Sequence, residues 1–131
     1  MFRVLVCGAR DWDDGGMVRR ELALLLGSHR AESVVVIEGE ARGADTWARQ
    51  AAVSLGMQVL SFPADWERHH RAAGPIRNQK MLVEGRPDAV WAFHDDLESS
   101  KGTKDMVARA AKVGVPVTVF SHQSLLEEVD I

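Results

Sequence analysis

The chain has 131 residues, of which 46% are hydrophobic and 27% charged, and it carries a net charge of −3. That length suits one domain with a single buried core, the composition is that of an ordinary globular protein, and disorder is excluded. The slightly acidic balance argues against a global attraction to nucleic acid or anionic membrane. Cys7 is the only cysteine, so there is neither an internal disulfide nor a multi-cysteine zinc site. The first residues, MFRVLVCGARDWDD, form too short an apolar run for a signal peptide or a membrane span, and a cytoplasmic protein is the expectation.

In chain order, five apolar runs of strand length are expected near Phe2–Cys7, Ser33–Ile37, Gln58–Phe62, Ala89–Phe93 and Val115–Phe120. Segments of helical period separate them. Met17, Val18, Leu22, Leu25 and Leu26 recur at the three- and four-residue spacing of a core-facing helix. Ala44, Trp47, Ala48, Ala51, Ala52 and Leu55 make a clearer stripe, with Gly56 placed as the C-cap. A weaker helix is expected from near Pro75 to about Glu84, another carries Met106, Val107, Ala110 and Ala111 up to Gly114, and a short one is expected over Ser124–Val129. Strands apolar on both faces and alternating with helices predict a single α/β domain over 1–131. The expected architecture is a Rossmann-like, doubly wound parallel sheet with helices on both sides.

In such sheets ligands bind outside the carboxyl ends of the strands, and here the unusual loops all follow strands. After the second strand, Gly39, Arg42 and Gly43 lead into a helix, the design of a phosphate-gripping turn. Gly102 and Thr103 repeat the arrangement after the fourth strand. The first loop supplies Gly8, Arg10 and Asp11; Asp11 either pairs with Arg10 or accepts from ribose hydroxyls. The third loop, Pro63 to Asn78, concentrates Arg68, His69, His70, Arg71 and Arg77, with Lys80 just beyond, a local basic patch suited to phosphate. Arg77, beside Pro75, is expected to be exposed, with a phosphate or carboxylate partner. Asp45 lies in the first turn of its helix, where its charge favours the dipole with or without a ligand. Trp47 and Trp91 are expected in the core; Trp12 and Trp66 lie in loops, where packing against the sheet rim competes with stacking on a base. His94-Asp95-Asp96 is either a solvated acidic loop or a place for Mg²⁺ beside a phosphate; no other cofactor and no zinc site is implied.

GARDW after the first strand, EGEARGADTWA after the second, FPADWERHHRAAGPIRNQKML after the third and SKGTKDMV at the fourth helix together resemble the YspA-type branch of the SLOG superfamily. The resemblance spans about residues 2 to 120. It implies a Rossmann-like fold that binds a nucleotide or nucleotide-derived ligand through Gly8, Arg10, Asp11, Gly39, Arg42, Gly43, Asp45, Arg77, Asn78, Gly102 and Thr103. The superfamily includes the lonely-guy phosphoribohydrolases, in which an arginine works with a P-G-G-x-G-T-x-x-E motif, and the DNA-processing protein DprA. In an enzyme of that kind Arg77 and Asp105 would be catalytic, acting on an N-glycosidic or phosphoribosyl bond. Here, however, Met106 occupies the glutamate position and the P-G-G element is replaced by His94-Asp95-Asp96-Leu97-Glu98. A nucleotide-binding or sensing role is therefore the first expectation, the hydrolase the second, and a DprA-like binder of single-stranded nucleic acid, disfavoured by net charge, the third. The resemblance to lonely-guy proteins, which form dimers, also raises a homodimer.

Overall fold

The computed structural model describes residues 1–122, so the expected helix over Ser124–Val129 lies outside the described residues. The five strands are β1 (Phe2–Gly8), β2 (Val34–Glu38), β3 (Gln58–Ser61), β4 (Ala89–Phe93) and β5 (Val117–Phe120). They form one parallel sheet in the order β3-β2-β1-β4-β5. Among the described residues the α-helices are α1 (Gly15–Leu24), α2 (Ala44–Leu55), α3 (Trp66–His69), α4 (Ala73–Gly85) and α5 (Gly102–Lys112). The Rossmann-like α/β fold read from the alternation is the one observed.

Strand side chains alternate between the two faces of a sheet, so the central strands feed two cores. Val4, Val6, Val34 and Val36 meet α1 and α2 through Val18, Leu22, Ala48 and Ala52 on one face. Leu5, Val35, Ile37 and Val90 meet Met81, Leu82, Met106 and Ala110 of α4 and α5 on the other. Each fully buried aliphatic side chain contributes about 1.5–3 kcal/mol, which is why a chain of this length needs no disulfide.

Local boundaries differ from the periodic reading where a specific contact intervenes. The third loop contains a helical turn, α3, because Asp65 Oδ1 accepts the Arg68 N–H at 3.1 Å and caps it. α4 starts two residues before Pro75, since a proline in the first helical turn loses no helical hydrogen bond. β5 begins after Pro116, although the Pro116 carbonyl still accepts the Val90 N–H at 2.9 Å. Trp47 does not enter the core. It is 37% exposed, lies against Gly15, and donates from Nε1 to the Trp12 carbonyl at 2.8 Å, tying α2 to the first loop. Leu26 is likewise exposed, beyond the end of α1.

Strand order reverses between β1 and β4: the chain runs outward from β1 through β2 to β3, then crosses to β4 on the other side. The loops leaving β1 and β4 therefore diverge to opposite faces and open a crevice between them. Gly8, at the end of β1, has its Cα pressed against the Phe93 carbonyl; a Cβ there would overlap that oxygen, so only glycine lets the two strands close.

Candidate functional site

The crevice is a cleft of 840 Å³ at the carboxyl ends of the strands, within the range of about 300–1,000 Å³ usual for small-molecule sites. Of the residues expected to bind a ligand, Gly8, Arg10, Asp11, Asp45, Arg77, Asn78, Gly102 and Thr103 line it. Gly39 and Arg42 line an adjoining hollow with Arg10 and Arg77. Gly43 lines neither. Its φ of 75° is in the left-handed range, and a Cβ would overlap the Ala9 carbonyl, which the Ala44 N–H reaches at 3.2 Å. Gly43 is where α2 docks onto the first loop.

The turn after β2 departs from the expected open anion nest, because the chain's own carboxylates already occupy it. Asp45 Oδ2 accepts the N–H groups of Gly39 at 2.9 Å and Ala41 at 3.3 Å. Glu38 Oε1 accepts the Glu40 N–H at 2.9 Å, which holds Glu40 at a φ of 56°. Glu38 is fully buried, paired with Arg49 at 3.1 Å and hydrogen-bonded by the Ser61 hydroxyl. Asp45 is therefore more than a first-turn charge: it is 5% exposed and braces the whole turn from inside. Burial pushes its carboxyl up to about 6, opposed by the two N–H donors and the Arg77 charge. Beneath it, burial and the Asp45 charge push the Cys7 thiol up, so that Cys7 is no thiolate nucleophile.

Arg77 is half-buried rather than exposed, since α4 directs it across the cleft floor toward β2. Its Nη1 donates to the Gly39 carbonyl at 2.5 Å and its Nε to Asn78 Oδ1 at 3.0 Å. Gly39 is required for this approach, because a Cβ would overlap the guanidinium. Burial lowers the Arg77 pKa, and Arg10 adds repulsion; Asp45 opposes both. Neighbouring Asn78 is 4% exposed and its amide is committed: Nδ2 donates to the Gly102 carbonyl at 3.2 Å and to Asp105 Oδ2 at 3.0 Å. Asn78 is thus a bracket between α4 and the start of α5.

The turn after β4 is the more open of the two. Gly102 is exposed and a Cβ there would stand in open space, and the Thr103 N–H donates to Ser100 Oγ at 3.0 Å. Lys101 and Arg71 also line the cleft. Asp105 faces the cleft but is held by Arg109 at 2.8 Å as well as by Asn78. Met106 is 1% exposed in the core under α5, so no side chain at that position reaches the cleft.

Arg10 and Asp11 form no ion pair; the Arg10 guanidinium instead lies over the Trp66 ring at 5.8 Å. Trp66 is 49% exposed at the cleft mouth, whereas Trp12 is buried and stacks with His122 at 4.5 Å. In His94-Asp95-Asp96, Asp95 accepts from the His122 ring at 2.7 Å and from its N–H at 2.8 Å, and His94, which lines the cleft, accepts the Asp96 N–H on Nδ1. Of the basic third loop, Arg71 and Arg77 reach the cleft, while Arg68, His69, His70 and Lys80 do not. Trp66, one of the two loop tryptophans for which base stacking was weighed, lines the cleft; sequence reading missed Lys101, whose place beside Gly102 was the available signal.

A Rossmann-like domain with a cleft lined by both arginines and aspartates at its topological switch point is the class these features define. Comparison supplies the family. The family model described as "YspA, cpYpsA-related SLOG family" matches residues 2–69, and the chain belongs to that family. The chain is also 38% identical over 129 residues to the "Gene 61 protein" of Mycobacterium phage D29, an alignment covering 94% of this chain and 99% of that protein. No solved structure matches. The matched family region ends with α3, so Arg77, Asn78, Gly102 and Thr103 lie beyond it. Among the described residues no helix is long and apolar enough to cross a membrane.

Proposed function

We propose that the protein binds a nucleotide or nucleotide-derived phosphate ligand in the cleft between the β1 and β4 loops. The observation that carries this reading is the set of unpaired cations on its walls, which stand beside the carboxyl groups of Asp11, Asp45 and Asp105. Arg10, Arg71, Arg77 and Lys101 all line the cleft, and none is ion-paired to a carboxylate among the described residues. Cations held in place without carboxylate partners favour an anion, and arginine's planar fork favours phosphate. Trp66 and the apolar wall at Pro75 and Met81 suit the rest of a nucleotide. The family supports the same class of ligand. Any Mg²⁺ in this reading arrives with the phosphates.

The test is a thermal-shift panel of nucleotides, NAD, ADP-ribose and cyclic dinucleotides. A ligand at about 100 times its Kd adds about 2.7 kcal/mol to stability, enough to raise Tm by several degrees. No shift with any phosphate compound refutes the reading.

Hydrolysis of an N-glycosidic bond is the second reading, with Arg77 stabilising departing charge and Asp105 as acid–base. Two observations weigh against it: Met106 is buried, and Asp105 Oδ2 is already engaged by Asn78 and Arg109. Nucleoside monophosphates incubated with the protein are expected to release no free base. Release abolished by Arg77→Ala would reverse the ranking.

A further inference from the structure

The cleft has a side chamber. A hollow of 420 Å³ lies beside it, bounded by the turn Gly39–Arg42 and by Pro63 and Ala64. Both spaces are lined by Arg10, Ala41, Trp66 and Arg77, so the Arg10–Trp66 stack and the Arg77 guanidinium stand at their junction. Arg42 lines only the smaller one.

Three arginines thus face the side chamber, against a single acid in its lining, Glu40. None of the three makes an ion pair among the described residues. The backbone N–H groups of Gly39, Glu40 and Ala41 are already engaged by Asp45 and Glu38, so an anion here would be held by guanidinium groups and not by a backbone nest. Arg10 and Arg77 also lie close enough to repel one another, a cost that an anion between them would relieve. Such an arrangement exceeds what one phosphate needs, since Arg71 and Lys101 already line the main cleft. It fits a second phosphate attached to the first.

We propose that the side chamber is a second anion subsite, and that the ligand is a nucleoside carrying a diphosphate or longer phosphate chain, with its outer phosphate on Arg42. This inference rests on the nucleotide reading of the main cleft. Arg77, at the junction, contacts the link between the two phosphates, while Trp66 and Arg10 close the mouth over it.

Arg42→Ala separates the two ideas. Arg42 is exposed and makes no hydrogen bond or ion pair among the described residues, so its removal leaves the fold intact. Calorimetric titration compares AMP with ADP, and inorganic phosphate with pyrophosphate, on the wild type and on Arg42→Ala. ADP and pyrophosphate are expected to bind the wild type at least about tenfold more tightly than AMP and phosphate, the size of one charge-assisted hydrogen bond. Arg42→Ala is expected to abolish that advantage while changing AMP affinity by less than about twofold, with Arg42→Lys restoring part of it. If AMP binds as tightly as ADP, or if Arg42→Ala weakens AMP and ADP equally, the side-chamber subsite is wrong and the main-cleft reading stands. If none of the four compounds binds, the side-chamber subsite falls, and the main-cleft reading falls with it when the full nucleotide panel also gives no thermal shift.

Discussion

Replacing Asp45 by Asn isolates the cost of holding a carboxylate under the cleft. The carboxyl is raised from 3.8 to about 6, chiefly by burial, so the folded chain keeps its proton over a pH range in which the unfolded chain has lost it. Because the folded-state pKa is the higher one, the associated stability is fully present below about pH 3.8 and is lost as pH rises through about 6. A two-unit shift corresponds to about 3 kcal/mol overall, and about 2.5 kcal/mol of it falls between about pH 4 and about pH 7.5. Asn is the matched comparison: its Oδ1 can accept both the Gly39 and Ala41 N–H groups, as Asp45 Oδ2 does, without a charge that titrates. Urea unfolding followed by tryptophan fluorescence gives the stability of both proteins at each pH, and the other titrating groups cancel in the difference. The Asp45→Asn variant is expected to gain about 2.5 kcal/mol on the wild type across that interval. A difference that stays constant with pH, or moves in the wild type's favour as pH rises, would refute the assignment of Asp45 as a carboxyl destabilised by burial.

Two further substitutions test how the loops are held. Gly43→Ala is expected to cost at least about 2 kcal/mol in chemical unfolding, because it combines a left-handed backbone with overlap on the Ala9 carbonyl; a loss under about 0.5 kcal/mol would mean the α2 docking is loose. The Asp95–His122 contact is expected to raise the His122 pKa above 6.5 and depress that of Asp95, mainly through their hydrogen bonds. By sign, the histidine's contribution is complete below pH 6.5 and is lost as pH rises through its folded pKa, while the aspartate's is lost only as pH falls below 3.8. NMR titration of the His122 ring in the wild type and in Asp95→Asn checks this: the His122 pKa should fall in the variant, and an unchanged value would mean the contact does not form in solution.

Much of the fold is legible because its causes are local. The stripe Ala44, Ala48, Ala51, Ala52 and the apolar runs at Val34–Ile37 and Ala89–Phe93 state their periods without reference to the rest of the chain. Trp47 broke the stripe it belonged to, since its indole N–H was drawn to a carbonyl of the first loop 35 residues away. The site was legible as a set of loops and less so as a set of roles. Arg77 was marked by the basic loop around it, but its burial depends on Gly39, which precedes it by 38 residues. Asn78 sits next to it in sequence, and only the approach of α5 turns it into a bracket.

Strand and helix alternation, glycine at the strand ends and the placement of basic residues after β3 were all determined by the sequence alone, because hydrophobic period, backbone freedom and charge are properties of short segments. Tertiary structure decided which polar groups remained free to meet a ligand. The N–H groups after β2 look available until Asp45 and Glu38 fold back onto them, whereas Arg10, Arg42 and Arg77 make no ion pair among the described residues, the nearby Asp45 and Glu38 carboxylates being engaged by backbone N–H groups and Arg49. Hydrogen-bond satisfaction is a sum over neighbours in space, and the order of residues along the chain does not contain it.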